Sequence, residues 1–246
     1  MARTIALIYG VVSYLLFFVT FLYAVGFVGG FVVPKTIDSG APVPLTEALL
    51  VNVVLLGIFA LQHSVMARPG FKRWWTQFVP PAIERSTYVL FSSLALILLY
   101  WQWRAMPEVI WDVQHAIGRP ALWALFWLGW GIVLISTFLI SHFDLFGLRQ
   151  VWMHYRSVDY VPVGFRKIFL YRFVRHPIML GFIIAFWATP HMSLGHLLFA
   201  AATTAYIFIA LHFEERDLVN QLGVVYEEYR AQVSMIIPLP RKDKGT

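Results

Sequence analysis

Long uninterrupted apolar runs constrain this chain more than any other feature of its sequence. Clusters of charge, proline and glycine separate six such runs, at 5–33, 45–67, 86–103, 120–142, 177–189 and 193–212. A helix of about 20 apolar residues is long enough to cross the hydrocarbon core of a bilayer. Hydrophobic residues make up 59% of the chain and charged residues only 13%, whereas soluble domains carry roughly 25% charged residues. The sequence therefore predicts an all-α, polytopic membrane helical bundle.

The fifth run differs from the others in length. Between Pro177 and Pro190 it has only about a dozen residues, fewer than a full span needs. A short turn follows it, so we expect it to form a helical hairpin with the sixth run. The sequence thus predicts about six spans, five long and one short, in a single membrane-embedded domain over 1–246. The first run is too long for a signal peptide and is interpreted as a retained span.

The basic residues are distributed unevenly between the two sides of this topology. Of the 19 Lys and Arg residues, all but Lys35, Arg104 and Arg119 fall in the terminal segments and in the 68–85 and 143–176 connections. Because cytoplasmic loops of membrane proteins are enriched in Lys and Arg, both termini and these two connections are predicted to be cytoplasmic. We expect a bacterial inner-membrane protein with its functional face in the cytoplasm. The net charge of +6 then reflects these loops, and a nucleic-acid partner is not expected.

The chain contains no cysteine. Disulfides, thiolate metal sites, cysteine-ligated clusters and a cysteine nucleophile are therefore excluded. Any chemistry must use other side chains, and no metal is expected.

The stretch RFVRHPIMLG places Arg172, Arg175 and His176 directly before an apolar helix that begins at Pro177. Proline suits the first position of a helix, where its missing N–H has no partner to lose. The positive end of the helix dipole and the neighbouring cations favour an anion. In the alternative interpretation these cations extend to lipid phosphates.

An acidic segment follows the sixth run. FEERDL contains Glu214 and Glu215, and LGVVYEEYR beyond it contains Tyr226 and Tyr229. A hairpin of the fifth and sixth helices brings this segment beside the cationic one. The two segments form either a salt-bridge network or a site for a zwitterionic ligand with a carboxylate, an ammonium group and a ribose diol. S-adenosylmethionine fits that description.

Two histidines are candidate bases. In SHFDLFGLRQVW, His142 and Asp144 are two residues apart, and a carboxylate beside a histidine raises its basicity. The alternative is an interfacial cluster in which Asp144 pairs with Arg149. His63 in LQHSV is the second candidate, since an ionisable residue at membrane depth is costly and often functional; its alternative is an interfacial histidine bonded to the backbone.

Several of these motifs together resemble a known superfamily. RHP at the start of a short hairpin, EE at its end and LGxxYxxY beyond it resemble the isoprenylcysteine carboxyl methyltransferase and phospholipid methyltransferase superfamily of membrane enzymes. LQHSVMARPGFK, ERSTYVLFSSL, SHFDLFGLRQVW and RHPIMLGFIIAFWATPHMSLGHLLFA extend the resemblance to nearly the whole chain after the first run. Within the superfamily these segments are similar to the bacterial methanethiol S-methyltransferases, a family that makes dimethyl sulfide.

The resemblance implies an S-adenosylmethionine-dependent thiol methyltransferase that converts methanethiol, a small volatile thiol, to dimethyl sulfide by in-line transfer to the thiolate. It implies a cofactor-binding part over about 165–240, whose motif residues are His176, Pro177, Gly181, Glu214 and Glu215, followed by Tyr226 and Tyr229. Met179 stands where the superfamily commonly has tyrosine. A thioether is expected to pack against the adenine or sulfonium there. Membrane lipid is the other expected partner.

Other functions remain open from the sequence. Another thiol, a prenylcysteine or a lipid could be the methyl acceptor. A haem-binding membrane protein is an alternative, because five histidines lie in or beside the runs: His63, His142, His191, His196 and His212. A transporter is a further alternative, although no internal repeat is evident.

Overall fold

The structure is a computed structural model that describes residues 1–41 and 43–238. Arg241, Lys242 and Lys244, which contribute to the cytoplasmic charge count, lie outside these residues. The helices of the described part are α1 (Ala2–Gly29), α2 (Leu45–Ala67), α3 (Pro69–Trp75), α4 (Pro81–Gln102), α5 (Gly118–Ile140), α6 (His142–Leu145), α7 (Leu148–Tyr155), α8 (Pro177–Trp187), α9 (Leu194–Leu222) and α10 (Val224–Gln232). A 3₁₀ turn spans Phe169–Arg172, and strands β1 (Val109–Asp112) and β2 (His191–Ser193) pair antiparallel.

Within the described residues, five helices are long and apolar enough to cross a membrane: α1, α2, α4, α5 and α9. The helix α8 is apolar but has only 11 residues. Many large apolar side chains of α1 point outward, including those of Leu15, Val19 and Leu22, as expected where lipid rather than water surrounds a helix. The prediction of a helical membrane protein is confirmed. The short β1–β2 pair is an addition to the all-α prediction, and it satisfies backbone groups of two connecting segments.

The chain divides into two compact units. The first unit contains Met1–Asp112, Ser141–Val163 and His191–Phe199, and the second contains Val113–Ile140, Gly164–Pro190 and the residues from Ala200 onward. The long helix α9 begins in the first unit and continues in the second. The single domain expected over 1–246 stays a prediction.

In the first unit, a glycine turn positions the residues around His142. The helix α6 starts at His142, and Gly147 separates it from α7 with a positive φ of 88°, a conformation that glycine adopts without strain. A Cβ atom on Gly147 would lie 2.8 Å from the backbone nitrogen of Ser86 in α4. The turn therefore packs against α4 and holds α6 beside it.

In the second unit, α5 and α8 approach each other through two glycines. A Cβ atom on Gly181 would lie 2.7 Å from the carbonyl oxygen of Gly129, and one on Gly129 would lie 2.6 Å from the backbone nitrogen of Ala185. The two backbones are thus in direct contact at this level. Trp130 packs edge-on against Phe182 and Phe186 beside the glycines.

Replacing Gly181 with alanine is expected to lower the free energy of unfolding by about 1–3 kcal/mol, because the added methyl group forces the two helices apart. Gly131, on α5, is the matched control, since a Cβ atom there meets nothing within 4 Å. Gly131→Ala should be neutral or stabilising, as alanine has the higher helix propensity. Thermal unfolding of both variants in detergent measures the difference, and equal melting temperatures would contradict the close contact.

The residues after α10 run back along the start of α8. Val174 and Ser234 form a parallel β-bridge. The backbone N–H of Arg175 donates to the Ser234 carbonyl at 2.8 Å, and that of His176 donates to the Met235 carbonyl at 3.1 Å. We call residues 233–236 the C-terminal strap. It is held against the segment that carries the RHP motif.

Candidate active site

Three ionisable side chains of the second unit meet at one carboxylate oxygen. The Arg175 Nε donates to Glu215 Oε1 at 2.6 Å, and Nη2 forms an ion pair with the same oxygen. The His176 Nε2 lies 3.1 Å from it. Arg175 and His176 are only 7% and 8% exposed. The cationic segment and the acidic segment therefore meet as the hairpin predicted, and they do so as a direct salt-bridge network.

The two neighbouring glutamates are not equivalent. The Glu215 side chain is 13% exposed and takes part in the network, whereas that of Glu214 is 46% exposed. Its carboxylate lies 3.9 Å from His176 Nδ1, which is too far for a hydrogen bond. Glu215 is therefore a buried member of the salt-bridge network, whereas Glu214 is a half-exposed carboxylate at its edge.

Both predicted tyrosines lie in the wall behind this network. The Tyr226 hydroxyl is 3.5 Å from Glu215 Oε1, and the Tyr229 hydroxyl donates to the Tyr171 carbonyl at 2.6 Å. Phe165 packs edge-on against both rings. Burial raises the pKa of Tyr226, and it raises the pKa of Tyr229 to about 12. Both hydroxyls therefore stay protonated and act as hydrogen-bond donors that fix α10.

The remaining predicted cofactor residues lie around the network in different settings. Arg172 is exposed, and its Nε contacts the Lys167 carbonyl at 3.4 Å. Pro177 is the first residue of α8, as its sequence position predicts. Met179 packs against the buried cluster of Ile207, Leu211 and Ile236, and Gly181 meets α5. Contacts of these residues with a cofactor stay predictions.

A cavity of about 560 Å³ opens beside Glu215. Its volume lies within the range of roughly 300–1,000 Å³ found for small-molecule sites. Its lining is partly polar or charged and partly apolar. The lining residues are Phe208, His212, Glu215, Arg216, Val219, Asn220, Arg230 and Met235.

Most of these lining residues were not identified from the sequence. A signal for them exists, since residues 208, 212, 215 and 219 are spaced so as to share one face of α9. Two residues on that face are apolar, Phe208 and Val219, and two are polar, His212 and Glu215.

The candidate base His142 lies in the first unit. It is buried, and its Nε2 is 2.9 Å from the Tyr14 hydroxyl. The rings of Phe143 and Phe146 pack edge-on against it at 5.4 and 4.9 Å. Burial lowers the pKa of His142 below its ordinary value of 6.5. The imidazole is therefore neutral near pH 7 and able to accept a proton.

Asp144, the expected partner of His142, contacts two other side chains, and its pairing with His142 stays a prediction. The Asp144 carboxylate forms an ion pair with Arg149 at 2.9 Å and accepts a hydrogen bond from the Tyr160 hydroxyl at 3.2 Å. Residues two apart on a helical turn point in different directions, which lets the Asp144 side chain reach Arg149 and Tyr160. The alternative interpretation, a salt bridge of Asp144 with Arg149, describes this cluster.

The second candidate base, His63, joins α2 to α4. Its Nδ1 lies 3.1 Å from Ser92 Oγ and its Nε2 lies 2.8 Å from the Tyr88 hydroxyl. Since Ser92 Oγ donates to the Tyr88 carbonyl, the network assigns the ring proton to Nδ1 and makes Nε2 an acceptor. Both ring nitrogens of His63 are thus engaged in contacts between α2 and α4, and its role as a base stays a prediction.

Comparison with known proteins places this architecture in a family. The family model described as NnrU protein matches residues 51–230. The chain belongs to the NnrU family. A "Methanethiol S-methyltransferase" of Mycobacterium tuberculosis is 63% identical over 98% of this chain and 99% of its own length. One from Pseudomonas deceptionensis is 49% identical over 100% of this chain and 94% of its own. The resemblance inferred from the sequence motifs is confirmed.

More distant relatives of this NnrU-family chain have a different name. Nurim of Rattus norvegicus is 28% identical over 71% of this chain and 69% of its own length. No solved structure matches the chain. The NnrU match contains Arg175, Glu215, His142 and the cavity lining except Met235, whereas Tyr14, which contacts His142, lies before it.

Proposed function

We propose that this NnrU-family protein transfers the methyl group of S-adenosylmethionine to methanethiol, which yields dimethyl sulfide and S-adenosylhomocysteine. The observation that carries the proposal is the 63% identity, over nearly the full length of both chains, to a protein named methanethiol S-methyltransferase. The cavity beside Glu215 supports it, because a site of this size and mixed polarity suits a charged cofactor with a heteroaromatic base.

The lining of the cavity fits S-adenosylmethionine group by group. Arg216 and Arg230 supply cations for its carboxylate, and Phe208, Val219 and Met235 supply an apolar surface for adenine. The Glu215 Oε1 already takes the contacts of Arg175 and His176, so Oε2 is the acceptor for a ribose hydroxyl or the ammonium group. When bound, S-adenosylmethionine supplies the electrophilic methyl group.

His142 acts as the base in this proposal. A thiolate is a far better nucleophile than a thiol, and the neutral imidazole takes the thiol proton. The imidazole is the proton acceptor, and the Tyr14 hydroxyl at its Nε2 orients the ring. Holding the thiolate at near-attack distance from the methyl group supplies the other large part of the acceleration.

The membrane setting follows from the same proposal. Methanethiol partitions into apolar surroundings, whereas the charged cofactor arrives from the cytoplasm. We propose six membrane segments, with α8 as the short one, both termini cytoplasmic and the bacterial inner membrane as the location. This orientation puts the basic connections on the cytoplasmic side, in accord with the distribution of Lys and Arg.

A substrate panel tests the proposal. Protein purified in detergent is given S-adenosylmethionine with methanethiol, ethanethiol, farnesylcysteine or phosphatidylethanolamine, and products are measured by gas chromatography or mass spectrometry. We expect dimethyl sulfide from methanethiol and the highest kcat/KM for that substrate. Absence of dimethyl sulfide would overturn the proposed function. A higher kcat/KM for farnesylcysteine or the lipid would show that this compound, and not methanethiol, is the preferred substrate.

A further inference from the structure

The guanidinium group of Arg175 contacts three separate segments of the second unit. Its Nε and Nη2 bind Glu215 on α9. Its Nη1 donates to the carbonyl oxygen of Arg230 on α10 at 3.2 Å and to that of Val233 in the C-terminal strap. The backbone N–H of Arg175 is bonded to Ser234 of the same strap. Arg175 therefore ties α9, α10 and the strap to the start of α8.

All three segments that Arg175 ties down carry residues of the cavity wall. Arg230 lines the cavity with its side chain while its carbonyl is bound by Arg175. Met235 lines the cavity from the strap, and its carbonyl accepts the backbone N–H of His176. Glu215, which Arg175 also holds, is the acidic group of the same wall. Three lining residues thus depend on contacts at the RHP segment.

The position of Arg175 does not suit a direct role in binding an anionic ligand. A guanidinium recognises a carboxylate through its two-pronged N–H fork, and the fork of Arg175 faces Glu215. The side chain is only 6% exposed. The two arginines that do line the cavity are Arg216 and Arg230.

We infer that Arg175 is a positioning residue that holds Glu215, Arg230 and the C-terminal strap together as walls of the cofactor cavity, and that the cofactor's carboxylate binds to Arg216 and Arg230. The inference rests on the proposed function in one respect, because it takes the cavity as the S-adenosylmethionine site. It revises the expectation that the Arg175 side chain itself binds the anion.

Arg175→Lys combined with an engineered cross-link tests this role. Lysine keeps the charge but lacks the fork that binds Glu215 and the carbonyls together. The chain has no cysteine, so Val174→Cys and Ser234→Cys introduce a single pair. These residues are β-bridge partners, and neighbouring strands lie about 4.8 Å apart, within the roughly 4.4–6.8 Å that a disulfide spans between Cα atoms.

Calorimetry with S-adenosylmethionine gives the readout. We expect Arg175→Lys to raise Kd on the order of tenfold or more. The disulfide should restore most of the lost affinity by holding the strap mechanically, and dithiothreitol should remove the rescue. In protein that keeps Arg175, the disulfide should leave Kd unchanged. Arg119→Lys, at an exposed arginine of the same unit outside residues 165–240, should bind as the unaltered protein does.

Two results would overturn the inference. One is an Arg175→Lys protein that binds S-adenosylmethionine as tightly as the unaltered chain. The other is a disulfide, verified by mass spectrometry, that forms in the Arg175→Lys protein without improving Kd, since a lost direct contact cannot be restored by cross-linking the strap.

A second measurement uses protein in which Arg175 is unchanged, so it does not depend on whether Arg175→Lys folds. S-adenosylmethionine should slow maleimide labelling of Met235→Cys, because the strap forms a wall of its site; unchanged labelling would contradict the inference. If the unaltered protein binds no S-adenosylmethionine, the proposed function fails first. If it binds the cofactor but makes no dimethyl sulfide, only the substrate proposal fails.

Discussion

Replacing Glu215 with alanine is expected to abolish S-adenosylmethionine binding and methyl transfer, whereas replacing the neighbouring Glu214 is expected to weaken both much less. Glu215 Oε1 is the common partner of Arg175, His176 and the Tyr226 hydroxyl. Its removal leaves a buried guanidinium without its counter-charge, and breaking a buried ion pair from one side costs about 3–5 kcal/mol. Glu214 is half exposed and makes only a long contact with His176.

Calorimetry and thermal unfolding of the two alanine variants measure the difference between the glutamates. Glu215→Gln separates charge from shape, because the amide keeps a hydrogen-bond acceptor but removes the ion pair. We expect the affinity of Glu215→Gln for S-adenosylmethionine to lie between those of the unaltered protein and Glu215→Ala. Equal losses for Glu214→Ala and Glu215→Ala would contradict the distinction that the structure draws between them.

Replacing His142 with alanine is expected to lower kcat by about 10²–10⁴-fold, the usual contribution of a positioned general base, with little change in the Kd of S-adenosylmethionine. Asp144→Asn is the matched comparison. Its carboxylate binds Arg149 and Tyr160, so this variant should retain most of kcat. A larger loss from Asp144→Asn than from His142→Ala would contradict the assignment.

The pH dependence of kcat/KM supplies a second readout for His142. The active form is the neutral imidazole, and burial lowers the pKa of His142 below 6.5. Activity should therefore persist down to pH 6.5 and decline only as the pH falls further through the lowered pKa. This acid limb should disappear from the residual activity of His142→Gln. The same limb in the variant would show that another group causes it.

The membrane helices could be predicted because their ends carry strong local signals. The predicted run 45–67 coincides with α2 (Leu45–Ala67), since Pro44 and the Arg68–Pro69 pair bound it. The run 193–212 was too short, because α9 continues to Leu222. Hydropathy identifies only the apolar part of a helix. The helix α9 continues beyond its apolar part into a charged segment, which carries lining residues of the cavity.

The candidate site was predictable only where its residues are joined by a hairpin. Arg175 and Glu215 were expected to meet because they flank two consecutive helices with a short turn. The partner of His142 was not predictable, since Tyr14 is 128 residues away and reaches it through tertiary packing. The C-terminal strap has no periodic pattern either, and its place is set by hydrogen bonds to the RHP segment.

The function proposed for this chain is the transfer of a methyl group from S-adenosylmethionine to methanethiol. Its most direct test uses S-adenosylmethionine with a trideuterated methyl group, unlabelled methanethiol and purified protein, with headspace mass spectrometry of the product. We expect dimethyl sulfide heavier by three mass units, formed in equal amount with S-adenosylhomocysteine and absent with Glu215→Ala. Unlabelled dimethyl sulfide, or no dimethyl sulfide at all, would contradict this function.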